Sequence, residues 1–144
     1  MDLNTLTANA HIATEISVKW GEMDAFAHLN NTVYIRYIED GRIDLLEKMG
    51  LIDDIKKTSI GPVLASVQCD FLAPVTFPDT VIVLSKATQT GPKKVSFEHK
   101  LWSTKNNCLV AQGSSLAVYY NFKSQTSCAI PQAIINKLDA MVSL

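Results

Sequence analysis

The order of apolar and polar positions predicts a strand, a loop and a long helix in the first third of the chain. Glu15 to Trp20 alternates between apolar and polar residues, which predicts a β-strand. Gly21 to Asn30 has no period and is expected to be a loop. From Asn31 onward the period becomes helical, and we predict a helix over about Thr32 to Met49. Its apolar face carries Tyr34, Ile38, Gly41, Leu45 and Met49.

The predicted helix has signals at both ends and one unusual residue inside. Asn30 or Asn31 is a suitable N-cap, and Gly50 is a suitable C-terminal stop. Gly41 lies in the interior, where glycine costs roughly 1 kcal/mol relative to alanine. Close approach of the helix to a sheet would compensate for that cost. The opposite face can meet water, because it carries Glu39, Asp40, Glu47 and Lys48.

Four strand-like runs and a short helix follow. Proline, glycine and asparagine separate the runs, and Asn106-Asn107 is suited to a tight hairpin turn. The segment from Pro131 to Val142 starts with proline and has helically spaced apolar residues, which predicts a short amphipathic helix. The four runs are Val63 to Leu72, Val81 to Thr88, Val95 to Ser103 and Leu109 to Phe122.

The element order predicts a two-layer α+β fold. One long helix must bury its apolar face on one side of an antiparallel sheet. The length of 144 residues fits one domain, and no linker is visible between residues 1 and 144. Long strands with one helix leave sheet edges open, so a homodimer or a larger homo-oligomer that covers an edge is expected.

Composition restricts the partners. With 13 basic and 14 acidic residues, the net charge of -1 gives no general attraction to nucleic acid or to an anionic membrane. The odd number of cysteines, three, and their long spacing suggest neither a disulfide framework nor a zinc site. No leader and no apolar run of membrane-spanning length is seen, so a cytoplasmic protein is expected. Nothing in the sequence demands a metal or a redox cofactor.

The loop before the long helix holds the residues with chemical potential. Asp24, His28, Asn30 and Asn31 fall within eight positions. The first turn of a helix presents unpaired N–H groups that attract anions and can stabilise an oxyanion. A nearby aspartate could therefore attack a carbonyl or activate a water. A purely structural alternative is equally open, in which Asp24 and Asn30 only turn and cap the loop.

The segment from Trp20 to Glu39 resembles a known signature. The residues Trp-x-Glu-Met-Asp-Ala-Phe-x-His-Leu-Asn-Asn-x-x-Tyr-x-x-Tyr-x-Glu are similar to the N-terminal motif of the 4-hydroxybenzoyl-CoA thioesterase family. The resemblance implies a hotdog fold, in which a five-stranded antiparallel sheet wraps around one central helix. It also implies hydrolysis of acyl-CoA to free acid and CoA, with coenzyme A as part of the substrate rather than as a cofactor.

The resemblance assigns roles by position. The family's catalytic aspartate falls on Asp24, and its oxyanion donor is a backbone N–H at or next to Asn31. His28 and Asn30 match positions that shape the loop or the thioester pocket. Basic residues that contact the CoA phosphates in relatives have their counterparts here in the pair that follows Gly91-Pro92, Lys93 and Lys94.

Two residues depart from the family pattern. Ala27 stands where the family usually has glycine, so a positive φ there would imply a shifted loop or modest strain. Glu22 stands where the family often has aspartate, and this exchange is expected to be tolerated if the carboxylate faces solvent.

Several alternatives remain at this stage. Asp24 can act as nucleophile or as general base. A hotdog dehydratase would use a histidine and a helix carboxylate, for which His28 and Glu39 qualify by type. A third possibility is a non-catalytic module that binds acyl thioesters. The acyl specificity, the choice between CoA and acyl-carrier protein, and the choice between dimer and tetramer stay open. Candidate pocket residues are Phe26, Tyr34, Tyr37 and the strand Val63 to Phe71.

Overall fold

The computed structural model describes all residues from 1 to 144 and contains four helices and six strands. The helices are α1 (Leu3–Ala8), α2 (Asn31–Lys48), α3 (Leu51–Thr58) and α4 (Gln132–Asp139). The strands are β1 (Ile12–Ser17), β2 (Ile60–Phe71), β3 (Thr80–Gln89), β4 (Lys94–Ser103), β5 (Cys108–Asn121) and β6 (Thr126–Ser127). Three helices precede β2, and the strands from β2 to β6 then follow one another with no helix between them.

Five strands form a curled antiparallel sheet in the order β1-β3-β4-β5-β2, and the two-residue β6 pairs with the end of β5. The predicted α+β hotdog architecture is therefore confirmed. Sequence neighbours β3, β4 and β5 pair through hairpins, and the turn before β5 contains Asn107 at a φ of 52°. That left-handed residue confirms the hairpin expected at Asn106-Asn107.

Helix α2 buries the face that its period predicted. Tyr34, Ile38, Leu45 and Met49 are all buried, and Gly41 lies directly against β3. A Cβ atom at position 41 would come within 2.7 Å of both the Ser85 Oγ and the Val83 Cγ1 atoms. Glycine is therefore required here by close approach of helix and sheet, as the sequence suggested.

The hydrophobic core has two large clusters, one on each half of α2. The cluster near the start of the helix includes Tyr37, Val81 and Leu101, and the cluster near its end includes Leu45, Phe97 and Tyr119. A smaller third cluster lies under α1. This packing fixes the start of α2 relative to the strands, and so it fixes the loop that precedes the helix.

Several elements differ from the prediction. The first strand is Ile12–Ser17 instead of Glu15 to Trp20, because Trp20 opens a 3-10 turn. Helices α1 and α3 were not predicted. Gly50, at a φ of 74°, does end α2, but the chain continues at once into α3. Both missed helices have at most eight residues, so their periods were too short to be recognised.

Strand β2 is an open edge of the sheet. Its residues from 63 to 68 are all exposed, including Val63, Leu64 and Val67. Such an exposed apolar edge strand is a template for pairing with another chain. No helix of the molecule is both long enough and apolar enough to cross a membrane.

Candidate active site

The loop between β1 and α2 is tied to the helix by Glu22. The Glu22 Oε1 atom accepts hydrogen bonds from the Lys19 N–H at 2.7 Å and from the Tyr37 hydroxyl at 2.8 Å. The Glu22 carbonyl also accepts from the Asn30 N–H at 3.0 Å. Burial first, and then the Glu22 carboxylate, raise the pKa of Tyr37, so its hydroxyl stays a donor. Glu22 thus does not simply face solvent, which was the condition for its easy exchange with aspartate.

Asp24 turns the loop with one carboxylate oxygen. Its Oδ1 atom accepts from the Phe26 N–H at 2.8 Å and from the His28 N–H at 3.3 Å. The Asp24 N–H in turn donates to the His28 carbonyl at 2.8 Å. The side chain is half-buried, and no hydrogen bond of the chain engages its other oxygen, Oδ2. The loop-turning role expected from the residue type is present, and one oxygen remains available for chemistry.

Ala27 closes this turn in a left-handed conformation. Its φ is 59°, and its N–H donates to the Asp24 carbonyl at 3.1 Å. A left-handed residue other than glycine costs roughly 1–2 kcal/mol. Ala27 therefore has the positive φ at which alanine in place of glycine implies modest strain, and the loop has the backbone conformation that suits glycine.

The start of α2 lies beside Asp24. Asn30 is the N-cap, and its Oδ1 atom accepts from the Thr32 N–H at 2.9 Å and from the Thr32 hydroxyl at 2.8 Å. Asn31 is the first helical residue, and N–H groups of the first turn have no intrahelical partner. The Asn30 side chain is thus engaged in capping, while the backbone at Asn31 is free to meet an anion.

Asp24 and Asn31 line the same depression in the surface, which has a volume of about 340 Å³. Its wall includes Tyr34 and Phe71, whose rings meet edge to face at 5.2 Å between centroids. The Tyr34 hydroxyl donates to the Ala73 carbonyl at 3.2 Å. Burial raises the pKa of Tyr34, which keeps this hydroxyl protonated. The remaining lining is apolar apart from backbone, and consists of Leu29, Leu72, Ala73 and Pro74.

A second depression lies on the other side of the Asp24 loop. Its volume is about 430 Å³, and Asp24 lines this one as well. Two exposed aromatic side chains, Trp20 and Phe77, form part of its wall. The other lining residues are Gly21, Met23, Ala25 and Ala27. The carboxylate therefore stands between two surface depressions and does not project into open solvent.

His28 and Phe26, which were also named from the sequence, contact Asp24 through their backbone and not through their side chains. His28 is exposed, and its imidazole makes no hydrogen bond in the chain. Phe26 is 82% exposed, whereas Tyr37 is buried in the core. Of the aromatic residues expected to line a pocket, only Tyr34 and Phe71 do so beside Asp24.

Lys93 and Lys94 lie at the far end of the sheet from the Asp24 loop. The Lys93 carbonyl accepts from the Tyr119 N–H, and its Nζ donates to the Ser127 hydroxyl at 3.1 Å. Strand β4 runs from Lys94 to Ser103, a span of roughly 30 Å at about 3.3 Å per residue. Ser103 lies at the Asp24 end of the sheet. Its hydroxyl donates to the Asp79 carboxylate, and the Asp79 carbonyl accepts from the N–H of Val18, which lies just before the Asp24 loop. A single chain does not bring these lysines to Asp24.

The structure contains no group of three or more His, Cys, Asp or Glu side chains placed to hold a metal ion. The three cysteines are free and half-buried. The segment from 72 to 74, which lines the depression beside Asp24, was not foreseen as part of the site. This segment has no polar side chains that would mark it as part of a site, and only its position beside the start of α2 in the structure reveals that it lines the depression.

A fold with one helix inside a curled antiparallel sheet is shared with known proteins. The model of the thioesterase-like superfamily matches residues 18–138, and the chain belongs to this family. It is similar to the long-chain acyl-CoA thioesterase FadM of Escherichia coli, with 23% identity over 90% of this chain and 98% of that protein.

Two further likenesses are informative. The chloroplastic acyl-acyl carrier protein thioesterase ATL3 of Arabidopsis thaliana is 26% identical over 85% of this chain, which spans 65% of the length of ATL3. A solved structure of a 1,4-dihydroxy-2-naphthoyl-CoA thioesterase from Synechocystis superposes with a TM-score of 0.80. It covers 90% of this chain and 96% of that one at 15% identity, and so it supports the fold alone.

Proposed function

We propose that the protein is a thioester hydrolase that converts an acyl-CoA to free acid and CoA. The observation that carries this proposal is the depression shared by the Asp24 carboxylate and the first turn of α2 at Asn31. Membership of the thioesterase-like superfamily and the relatives named as thioesterases support it. Because these relatives include proteins named for CoA and for acyl-carrier protein thioesters, the carrier protein is the alternative donor of the acyl group.

The reaction needs a donor to the carbonyl oxygen and a base or nucleophile at the carbonyl carbon. The Asn31 N–H donates to the carbonyl oxygen as it gains negative charge. As general base, Asp24 takes a proton from a water whose oxygen bonds the carbon, and the thiolate then leaves. As nucleophile, its Oδ2 atom bonds the carbon, the thiolate leaves, and water cleaves the resulting anhydride. Both routes are compatible with the absence of any hydrogen bond from the chain to the Asp24 Oδ2 atom.

The geometry favours hydrolysis over dehydration. A dehydratase would pair His28 with Glu39, but the His28 imidazole is exposed, and Glu39 forms an ion pair with Arg36 at 3.4 Å. Glu39 lines a different depression from Asp24. A non-catalytic binding module was suggested only by Ala27, and that residue keeps the left-handed backbone at the turn. Release of free thiol distinguishes a hydrolase from such a module.

We propose that the protein works as a homo-oligomer in which two copies meet along β2. The exposed residues Val63, Leu64 and Val67 would be covered in that way. A second copy is the proposed source of Lys93 and Lys94 for the phosphates of a CoA whose thioester lies at Asp24, because one chain holds these lysines at the opposite end of its sheet. A solution mass above the 15.8 kDa of one chain, measured by light scattering, is the expected result, and a monomer would contradict it. The cytoplasmic location stays a prediction.

Replacement of Asp24 by asparagine tests the proposal. The introduced carboxamide can still accept the loop hydrogen bonds through its carbonyl oxygen, but it has neither charge nor basicity. Thiol release from short, long and aromatic acyl-CoAs is expected to fall about 10²- to 10⁴-fold. Asp53→Asn, which changes an exposed acid on α3, is the matched control and is expected to keep the wild-type rate. An Asp24→Asn variant as fast as the control would show that the assignment of Asp24 is wrong.

A further inference from the structure

A trough leads away from the candidate site between α2 and the edge strand β2. Asn31 on the helix and Phe71 on the strand line the depression beside Asp24. Thr32 on the helix and Val67 on the strand line the next one, which has a volume of about 280 Å³. Residues 67 and 71 point to the same face of β2, since side chains alternate along a strand. Ile35, Leu64 and Val67 form the apolar walls of this second part, and Arg36, Glu39 and Arg42 complete its lining. A second copy paired along β2 would close the trough over from outside.

Arg42 lines the far end of the trough and has no ionic partner. The two ion pairs of the molecule join Arg36 to Glu39 and Lys137 to Asp54. Arg42 is half-buried, and its one side-chain hydrogen bond runs from Nη1 to the Ser115 hydroxyl at 3.2 Å. A guanidinium has five N–H donors, so most of its donor capacity is unused. Burial lowers the pKa of Arg42 and the nearby Glu39 carboxylate raises it, but Glu39 is paired with Arg36, so Arg42 forms no ion pair of its own.

A neutral network in the core anchors this cation. Ser115 is buried and lies 3.4 Å from the His99 Nε2 atom, while the His99 Nδ1 atom lies 2.9 Å from the Ser85 hydroxyl. Burial, and then the positive charge of Arg42, lower the pKa of His99 to about 3. His99 is therefore neutral at physiological pH, and the network fixes Arg42 without supplying any negative charge to it.

We propose that Arg42 determines acyl specificity by binding a carboxylate at the far end of the acyl chain. This inference rests on the proposed function, because it places the thioester at Asp24 and the chain in the trough. From Asn31 to Arg42 the helix rises roughly 16 Å, at about 1.5 Å per residue. An extended chain of about that length puts its terminal carboxylate at the guanidinium. A short chain leaves its carboxylate among the apolar walls, where it is unfavourable.

The wild-type protein provides the first test. The specificity constant kcat/KM is measured for dodecanedioyl-CoA and dodecanoyl-CoA, and for the shorter pair adipoyl-CoA and hexanoyl-CoA. In each pair, the constant for the thioester with the terminal carboxylate is divided by the constant for the thioester without it. This ratio isolates the effect of the terminal carboxylate. The ratio for the long pair is expected to exceed that for the short pair by about tenfold or more. Equal ratios for the two pairs would overturn the inference without touching the proposed function.

Variants of two cations in α2 provide the second test. Arg42→Met is expected to lower the ratio for the long pair about 10- to 100-fold, which corresponds to loss of a charge-assisted hydrogen bond. Arg42→Lys keeps the charge without the planar fork, so an intermediate ratio is expected. The control is Lys48→Met, which removes an exposed cation in the last turn of α2 that lies outside the trough, and it is expected to keep the wild-type ratio. An unchanged ratio in Arg42→Met would show that Arg42 does not bind the chain end.

Two other outcomes have definite meanings. Light scattering shows whether Arg42→Met dissociates the oligomer, and dissociation together with equal wild-type ratios would assign Arg42 to contact between copies and overturn the inference. If no acyl-CoA is hydrolysed, the proposed function fails. Calorimetric dissociation constants for the same four thioesters then replace the specificity constants, and equal ratios for the two pairs would overturn the inference in the same way.

Discussion

Asp24 illustrates how one side chain can have a structural and a chemical role at the same time. Its Oδ1 atom holds the turn through the Phe26 and His28 N–H groups, its Oδ2 atom has no hydrogen-bond partner, and the residue lines both depressions. Hydrogen bonds to one oxygen fix the direction of the other, so the turn itself orients the reactive atom. A structural role in the loop is thus a condition for the proposed chemistry and not a competitor to it.

The strain at Ala27 leads to a prediction at this scale. Ala27→Gly removes a cost of roughly 1–2 kcal/mol for the left-handed backbone but adds chain entropy to the unfolded state. Ala25→Gly, in the same exposed loop but without a positive φ, has only the entropic penalty. We expect Ala27→Gly to be about 1–2 kcal/mol more stable than Ala25→Gly in urea unfolding. Equal stabilities of the two variants would show that the turn is unstrained.

Helix α2 connects the site to the core at the scale of whole elements. Its first turn faces Asp24, its middle contacts β3 through Gly41, and its far half packs under Phe97 and Tyr119. The Glu22–Tyr37 hydrogen bond joins the loop to the second turn of the same helix. A displacement of the helix relative to the sheet would therefore move the oxyanion donor relative to Asp24.

A substitution at Gly41 tests the close contact of helix and sheet. Gly41→Ala gains roughly 1 kcal/mol in helix propensity, but its Cβ would clash with Ser85 and Val83 at 2.7 Å. Overpacking in a core typically costs about 1–3 kcal/mol, so we expect a net loss of stability and a Tm lower by a few degrees. Gly21→Ala, where nothing lies within 4 Å, is the control and should leave the Tm almost unchanged. A Gly41→Ala protein as stable as the control would contradict the packing described.

The interior of the whole molecule contains polar groups that must stay neutral. His99, Ser85 and Ser115 lie between the helix and the sheet, and every buried side-chain polar atom has a hydrogen-bond partner. His11 accepts a hydrogen bond from the Ala87 N–H at 3.2 Å, and burial lowers its pKa as well. The core therefore tolerates imidazoles only in their uncharged form.

This neutrality makes stability depend on pH. The pKa of His99 is about 3 in the folded protein and 6.5 in the unfolded chain, so between these values the unfolded chain binds the extra proton. Stability is complete above pH 6.5 and decreases as the pH falls below it. At about pH 5 the loss is about 2 kcal/mol, or a Tm lower by about 5 °C than at about pH 7.5.

Two variants check the origin of that dependence by calorimetry. His99→Gln removes the buried titrating group, so the difference between its Tm values at the acidic and the neutral pH is expected to be smaller than in the wild type. His28→Gln removes an exposed imidazole and is expected to keep the wild-type difference. If both variants showed the same difference as the wild type, His99 would not be the group responsible.

The chain itself determined the features that depend on local order. The apolar period of α2, its Asn30 cap, the Asn107 turn and the four long strands follow from residue spacing and backbone preference, which act over a few residues. The resemblance of residues 20 to 39 to a known signature gave the family, which the match over residues 18–138 confirms. The short helices α1 and α3 were not predicted, because a helix of fewer than three turns has too few residues to show a recognisable apolar period.

Only the tertiary structure decided which distant residues meet. Phe71 and the segment from 72 to 74 complete the depression at Asp24, although they lie far from it along the chain. The same folding placed Lys93 and Lys94 at the opposite end of the sheet, and joined Arg42 to Ser115 and His99. Contacts of this kind depend on strand order and register. These are set by burial of the whole sheet against α2, and no short stretch of sequence encodes them.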